Sequence, residues 1–297
     1  MNRRQFLKIS LSTLLALNCI PFNSKGLSEA SNGLKIPRKN KWLPRIDSDE
    51  FGFLAIGDMG TGWKTQKDLI ALMSTLPANQ FPAVLLLGDI IYPAAKADLL
   101  ESNLIQPFEP MLKAGNIFYP CWGNHDWLEK EAIHLKQYFD APDYYSFSIG
   151  PADFWALNSN KFDSAQANWL SNSLANSKSP WKIVFLHHSP YSSGKVHHTN
   201  KNMIQHVCPI LNDYKVDLCL SGHNHLYERT EKICNVTYIV SGGGSASLHS
   251  YEETVDFPRA YIDNIHHFIA VQGNSHNLSL KAFNLKGQAF DQLRLIK

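Results

Sequence analysis

The sequence predicts an α/β fold in which two mixed β-sheets pack as a sandwich, with helices on the outside. Three observations carry that expectation. From residue 51 the chain alternates apolar runs with helix-like stretches, the order that parallel strands require for their crossovers. Several of the runs are apolar without alternation, Pro82 to Gly88 above all, which marks strands covered on both faces. After residue 222 the helix-like stretches stop and strand-like runs follow one another, which predicts antiparallel partners late in the chain.

The elements follow in order. Phe51 to Gly57 reads as a strand, and Gln66 to Leu76 as a helix with apolar residues at helical spacing. Pro82 to Gly88 is a second strand. Ala97 to Ala114 reads as a helix broken near Pro107 and Pro110, because proline cannot donate to the helical ladder. Ile117 to Gly123 is a third strand. Tyr145 to Ile149 and Ala152 to Asn158 read as a strand pair joined at Gly150-Pro151. Ser164 to Asn176 is helical, Trp181 to His187 a buried strand, Asn202 to Tyr214 a helix and Val216 to Gly222 a further strand. Leu226 to Thr230, Ile233 to Ser241, Phe268 to Gly273 and Leu278 to Ile296 read as strands and hairpins. No repeat or low-complexity segment interrupts them.

Composition narrows the function. With 44% apolar and 18% charged residues over 297 positions, the chain has material for a large buried core. Net charge is only +2, with no long basic run, so nothing points to a nucleic-acid partner. No apolar run reaches the roughly 18 to 20 residues of a membrane helix. The chain carries 13 histidines, which directs attention to metal sites.

The first thirty residues read as an address. Arg3-Arg4-Gln5-Phe6-Leu7-Lys8 precedes an apolar run from Ile9 to Ile20, and a polar exit follows at Pro21, Asn23, Ser24 and Gly26. Paired arginines before Phe-Leu-Lys resemble a twin-arginine export signal, which implies the twin-arginine machinery as a partner and a periplasmic or secreted destination. That route carries folded proteins and suits a chain that takes up metal before export. We divide the sequence into a signal (1–30), a linker (31–47) and one domain (48–297). An alternative use of Cys19, late in the run, is lipid attachment, although Asn18 is bulkier than such sites prefer. The other cysteines, 121, 208, 219 and 234, form no Cys-x-x-Cys pair, so a thiolate zinc cage is not expected. Cys121 and Cys219 read as buried thiols. A disulfide among Cys208, Cys219 and Cys234 stays open.

Chemistry collects where the predicted strands stop. The first ends in Gly57-Asp58-Met59-Gly60 and the second in Gly88-Asp89-Ile90-Ile91-Tyr92. The third ends in Gly123-Asn124-His125-Asp126. Two later ones end in His187-His188-Ser189-Pro190 and Gly222-His223-Asn224-His225. Ligand sites of α/β sheets form at these carboxyl ends. A lone Gly-Asp is usually a turn, and a lone His-x-His usually a solvated pair. The ordered series, each member after an apolar strand, is a specific signal.

That series resembles the calcineurin-like metallophosphoesterase superfamily over roughly residues 51 to 250, and within it the small purple acid phosphatases of the tartrate-resistant type. Most of the superfamily has a histidine two residues after the first aspartate, where this chain has Gly60. Purple acid phosphatases instead place a tyrosine three residues after the second aspartate, matched here by Tyr92. The resemblance implies the αββα metallophosphoesterase fold for residues 48–297 and a two-metal site. Asp58, Tyr92 and His225 match ligands of a ferric ion. Asn124, His187 and His223 match ligands of a second, divalent ion (Zn, Mn or Fe), and Asp89 matches the carboxylate between the two. Carboxylate and phenolate oxygens suit a hard trivalent ion, and imidazole and amide suit the divalent one. Phenolate bound to ferric iron would give a visible charge-transfer band. His187, at the end of its strand, is preferred as ligand to His188, which is then a turn or rim residue.

The implied activity is acid phosphatase: hydrolysis of phosphate monoesters, small molecules or phosphoproteins, by attack of a metal-bound hydroxide. A phosphodiesterase or nucleotidase of the same superfamily is the alternative. His125 matches the histidine that contacts substrate phosphate. His197 or His198 would donate a proton to the leaving oxygen, and the spacing leaves open which. Asp126 is expected to orient a ligand. Gly242-Gly243-Gly244 reads as a tight loop beside the pocket, since no helix follows it to make a dinucleotide site. His134, His206, His249, His266, His267 and His276 carry no motif and read as structural.

Overall fold

The protein is described from a computed structural model covering residues 49–128 and 132–297. The segments expected to be an export signal and a linker, with Cys19, lie outside the described residues.

The first three strands are β1 (Phe51–Ile56), β2 (Ala83–Leu87) and β3 (Ile117–Cys121), and β1 and β2 are buried throughout. α1 (Lys64–Met73) and α2 (Gln106–Lys113) carry the chain back between them, so β1, β2 and β3 pair in parallel. α3 (Ala132–Phe139) leads to a tight antiparallel hairpin of β4 (Tyr145–Ile149) and β5 (Ala152–Ala156). The parallel pattern resumes through α4 (Ser164–Asn176), β6 (Trp181–Leu186), α5 (Lys201–His206), α6 (Cys208–Asp213) and β7 (Leu218–Ser221). Six strands then follow without helices: β8 (Tyr227–Ile233), β9 (Val236–Ser241), β10 (Arg259–Asp263), β11 (His267–Gly273), β12 (Asn277–Asn284) and β13 (Ala289–Ile296).

These make two mixed sheets, as the sequence predicts. One has six strands in the order β13-β12-β11-β1-β2-β3, and the other seven in the order β10-β8-β9-β7-β6-β5-β4. The late strands do not build a sheet of their own. β11 pairs antiparallel with β1 and β9 pairs parallel with β7. Each thereby covers an edge that would otherwise leave backbone donors and acceptors unpaired. Aromatic rings fill the layer between the sheets. Phe53 of β1 meets Phe154 of β5 edge-on at 5.2 Å, and Tyr119 of β3 stacks on Phe147 of β4 at 3.8 Å. A polar link also joins the sheets: Asp291 of β13 accepts from Tyr227 Oη and Arg229 Nε of β8, both at 2.7 Å.

Three expectations need correction, and one open point is answered. The 97–114 helix is not broken at its prolines. Pro107 sits in the first turn of α2, where a missing N–H costs little. The irregularity precedes it, as a 3₁₀ turn (Ala97–Leu99) and a π turn (Glu101–Ile105). The Asn103 carbonyl, four residues before Pro107, takes its hydrogen bond from Gln66 Nε2 at 2.6 Å instead. The 202–214 helix divides at Val207, because Pro209 opens a new helix rather than continuing the old one. The turn expected between Thr230 and Ile233 lies at Cys234-Asn235, whose φ values of 48° and 71° suit a two-residue hairpin. All four described cysteines are free, with Cys121, Cys208 and Cys219 buried and Cys234 exposed, so the open disulfide is not formed. α3 and β10 had no counterpart among the expected elements.

Candidate metal centre

The strand ends turn sharply, and the turns aim polar groups at one point. Asp58, Asp89 and His223 have φ of 57°, 51° and 69°, in the left-handed region that residues other than glycine rarely occupy. Strain of this kind persists where the surroundings over-determine it, commonly at functional sites. The surroundings here are visible. Asp58 N–H donates to the Gly88 carbonyl at 3.1 Å. Gly57 N–H donates to Ser241 and Gly244 N–H donates to Gly57, both at 3.0 Å. The 242–244 glycines thus form a loop clamped against the Asp58 turn.

Two neighbourhoods meet at Asp89. On one side the Tyr92 hydroxyl lies 2.8 Å from Asp89 Oδ2, 3.0 Å from Asp58 Oδ1 and 3.1 Å from His225 Nε2. On the other, His187 Nε2 lies 3.5 Å from Asp89 Oδ1, 3.0 Å from Asn124 Oδ1 and 3.1 Å from His223 Nδ1. The side chains singled out as a ligand set therefore share one cluster, and ligand atoms of Asp58, Asp89 and His187 lie within 4.8 Å of one another.

Proton bookkeeping shows what the cluster needs. His187 Nδ1 lies 2.9 Å from the Leu87 carbonyl and His225 Nδ1 lies 2.7 Å from the Ser247 carbonyl. A carbonyl only accepts, so both Nδ1 atoms carry hydrogen, and in the neutral rings the Nε2 lone pairs face the cluster. Asp58 and Asp89 are buried carboxylates in the same space. Burial and the two carboxylates push the Tyr92 phenol far above its ordinary range. Burial alone would lower His187, but Asp89 overrides it and raises the ring to about 10. Without a cation the buried carboxylates draw a proton onto His187, and a metal ion would supply that positive charge instead, so these residues fit metal cations.

Gly60 explains the tyrosine. A Cβ at Gly60 would overlap the Ile90 carbonyl, because the loops after β1 and β2 touch there. The Gly60 carbonyl accepts from Tyr92 N–H at 2.9 Å and from Asn103 Nδ2 at 3.1 Å. No side chain fits at position 60, and Tyr92 enters the cluster from the neighbouring loop.

The remaining candidates separate clearly. His125 N–H donates to Asp89 Oδ1 at 2.9 Å, and its ring packs 4.5 Å from Tyr92. Among the described residues, no hydrogen bond joins Asp126 to the side chain of Asp58, Asp89 or Asn124. Asp126 accepts from Ile90 N–H at 2.8 Å and Gly123 N–H at 2.9 Å, so it ties the loops after β2 and β3 together. Burial and the Asp89 charge push its carboxyl up to about 7. His197 stacks on His223 at 3.9 Å, with planes 24° apart. His198 is exposed and lines a different cavity with Thr199, Asp256 and Phe257. His188 sits half-buried in the bend after β6: Ser159 Oγ lies 2.9 Å from its Nδ1, and its ring packs 4.4 Å from His223. Burial and His187 lower it to about 3.

His249, which reads as structural in the sequence, stacks its ring on His225 at 3.9 Å. The sole hint was its closeness to the glycine loop. His267 is buried against Ser241 Oγ at 2.9 Å, as a structural histidine would be.

The family described as calcineurin-like phosphoesterase matches residues 51–227, from the start of β1 to the start of β8. The chain belongs to the calcineurin-like phosphoesterase family. Among its relatives in that family is purple acid phosphatase 7 of Arabidopsis thaliana, 23% identical over 284 residues, which cover 84% of each chain. Purple acid phosphatase 5 of the same plant is 26% identical over 243 residues, 77% of this chain and 57% of that one. The phosphoenolpyruvate phosphatase of Allium cepa is 32% identical over 231 residues, 67% of this chain and 46% of that protein. The chain thus spans about half the length of some relatives and most of another. Among solved structures, a purple acid phosphatase from yellow lupin (Lupinus luteus) seeds superposes with a TM-score of 0.75 at 20% identity, over 86% of this chain and 55% of that one. GAP50, the anchor in the inner membrane complex of Plasmodium, gives 0.70 at 19% identity, over 84% and 89%. These likenesses establish the shared fold. Among the described residues, no helix is long and apolar enough to cross a membrane.

Proposed function

We propose that this family member hydrolyses phosphate monoesters at a two-metal centre of the purple acid phosphatase kind. The observation that carries the reading is the Tyr92 hydroxyl, set among Asp58, Asp89 and His225 where Gly60 leaves no room for a histidine. Asp58, Tyr92 and His225 would hold a ferric ion. Asn124, His187 and His223 would hold a divalent ion, Zn, Mn or Fe, and Asp89 would serve both. When bound, the two ions supply Lewis acidity for an in-line displacement at phosphorus. The relatives named purple acid phosphatase and phosphoenolpyruvate phosphatase support the same substrate class.

The chain's own residues do the rest. The His125 ring, at the open side beside Tyr92, binds a phosphate oxygen. Asp126 keeps the loops after β2 and β3 in register, which fixes Asp89 and His125 together. His197 delivers the proton to the leaving oxygen, with its ring plane set by the His223 stack. We expect His197→Ala to lower kcat about 10²-fold, the usual reach of a positioned general acid. His198→Ala should stay within about threefold, because that ring is on another surface. Steady-state assays on both variants check this. The Arg3-Arg4 segment and its apolar run support export of the protein, as a small-molecule or phosphoprotein phosphatase outside the cytoplasm.

One set of measurements tests the reading. Metal analysis should find one iron and one divalent ion per chain, with a visible band that disappears in Tyr92→Phe. 4-Nitrophenyl phosphate should be turned over faster than bis(4-nitrophenyl) phosphate. Two zinc ions without colour would overturn the metal assignment, and a preference for the diester would replace monoesterase by phosphodiesterase. Metal-loaded protein that turns over neither ester would leave a binding protein on this fold.

A further inference from the structure

The segment after β6 that carries His197 is joined to the segment after β9 that carries His249. Gly194 and Tyr251 form an isolated antiparallel bridge. Lys195 N–H donates to the Ser250 carbonyl at 2.9 Å, and Glu252 N–H donates to the Ser193 carbonyl at 2.8 Å. Glu228, buried in β8, anchors the pair by accepting from Ser193 N–H and Ser193 Oγ, both at 2.8 Å.

This cross-link sets a row of rings. His197 stacks on His223 at 3.9 Å, His249 stacks on His225 at 3.9 Å, and His197 and His249 face each other at 5.3 Å. His249 is held twice over. Its N–H donates to the His225 carbonyl at 2.9 Å, and its Nδ1 lies 3.2 Å from the His225 N–H. A backbone N–H can only donate, so Nδ1 is the acceptor and the neutral ring carries its hydrogen on Nε2. Among the described residues, nothing accepts from that Nε2–H. The ring is thus fixed, with an unused donor, next to the proposed proton donor.

We propose that His249 is a substrate-contacting residue whose Nε2–H donates a hydrogen bond to the leaving-group oxygen beside His197. The inference rests on the phosphomonoesterase reading. His197 supplies the proton and His249 keeps its own. The effect falls on the leaving group and not on the transferred phosphoryl group. It is therefore greatest where the departing oxygen is strongly basic and gathers most charge.

The test compares ethyl phosphate, with a basic leaving oxygen, and 4-nitrophenyl phosphate, with a weakly basic one. Both are assayed on metal-loaded wild type, His249→Ala and His249→Gln. We expect His249→Ala to lower kcat/KM for ethyl phosphate about 10- to 30-fold and for 4-nitrophenyl phosphate less than about threefold. His249→Gln, which keeps a donor, should recover part of the ethyl phosphate loss. Metal content should be unchanged, and orthophosphate affinity by calorimetry should stay within about twofold. An equal loss on both esters, loss of metal, weakened orthophosphate binding, or no loss at all overturns the inference. Wild type inactive on both esters overturns the phosphomonoesterase reading as well, which separates the two failures.

Discussion

Asp89→Ala is expected to lower kcat/KM by about 10³-fold or more and to strip at least one metal ion, while the fold survives. The Asp89 carboxylate reaches into both neighbourhoods. Oδ2 approaches Tyr92 at 2.8 Å, whereas Oδ1 approaches His187 at 3.5 Å. Removing the carboxylate therefore disconnects the halves. Stability should fall as well. Asp89 is buried, 2% exposed, but paired: burial alone would raise its carboxyl, and the His187 and His125 rings hold it below the usual carboxylate range. Its removal leaves the His187 ring without its buried partner, so the metal-free variant should melt below metal-free wild type while its circular dichroism is unchanged. Metal analysis, steady-state kinetics and thermal melts check the three parts. Full metal content with most of the activity retained would remove Asp89 from its central place.

Gly60→Ala should produce the largest loss of stability, about 3 kcal/mol, and lower Tm by about 6 to 12 °C for a domain of this size. The added methyl would run into the Ile90 carbonyl, which is backbone and cannot rotate away. Ile90 N–H is held by Asp126, so the loop has little freedom to retreat. Gly60→His should fare worse, even though a histidine at this place is the commoner pattern in the superfamily that the sequence resembles. It would push apart the loops that carry Asp58 and Tyr92. Thermal melts of both variants decide the matter, and a Gly60→His protein as stable as wild type would show that the loop contact is soft.

Much of the fold was legible because burial writes itself into the chain as apolar runs. Ala83–Leu87 and Trp181–Leu186 are covered on both faces and need no polar alternation, so their place in the sheets could be read directly. What failed were local boundaries decided by single backbone groups. The Asn103 carbonyl found Gln66 in place of a helical partner, and Cys234 accepted a left-handed φ that no propensity favours. β10 was missed because it pairs at the sheet edge with β8, and its residues Arg259–Asp263 show no buried face. At the site, the residues that follow glycine at strand ends were legible because strand direction alone delivers them to one edge of the sheets. His188 and His249 were not, since neither follows such a pattern.

The sequence by itself determined where the chemistry-bearing residues stand along the chain, because a strand's end is set by its own apolar run and the glycine that stops it. It also determined that Tyr92 stands three residues after Asp89 while position 60 is glycine. Only the tertiary structure decided that His197 rather than His198 lies against His223, that His249 joins it, and why position 60 must be glycine. Each of those outcomes depends on two loops distant in sequence touching through backbone atoms, and the geometry of such a contact is set by packing of the whole sandwich and not by any residue's own preference.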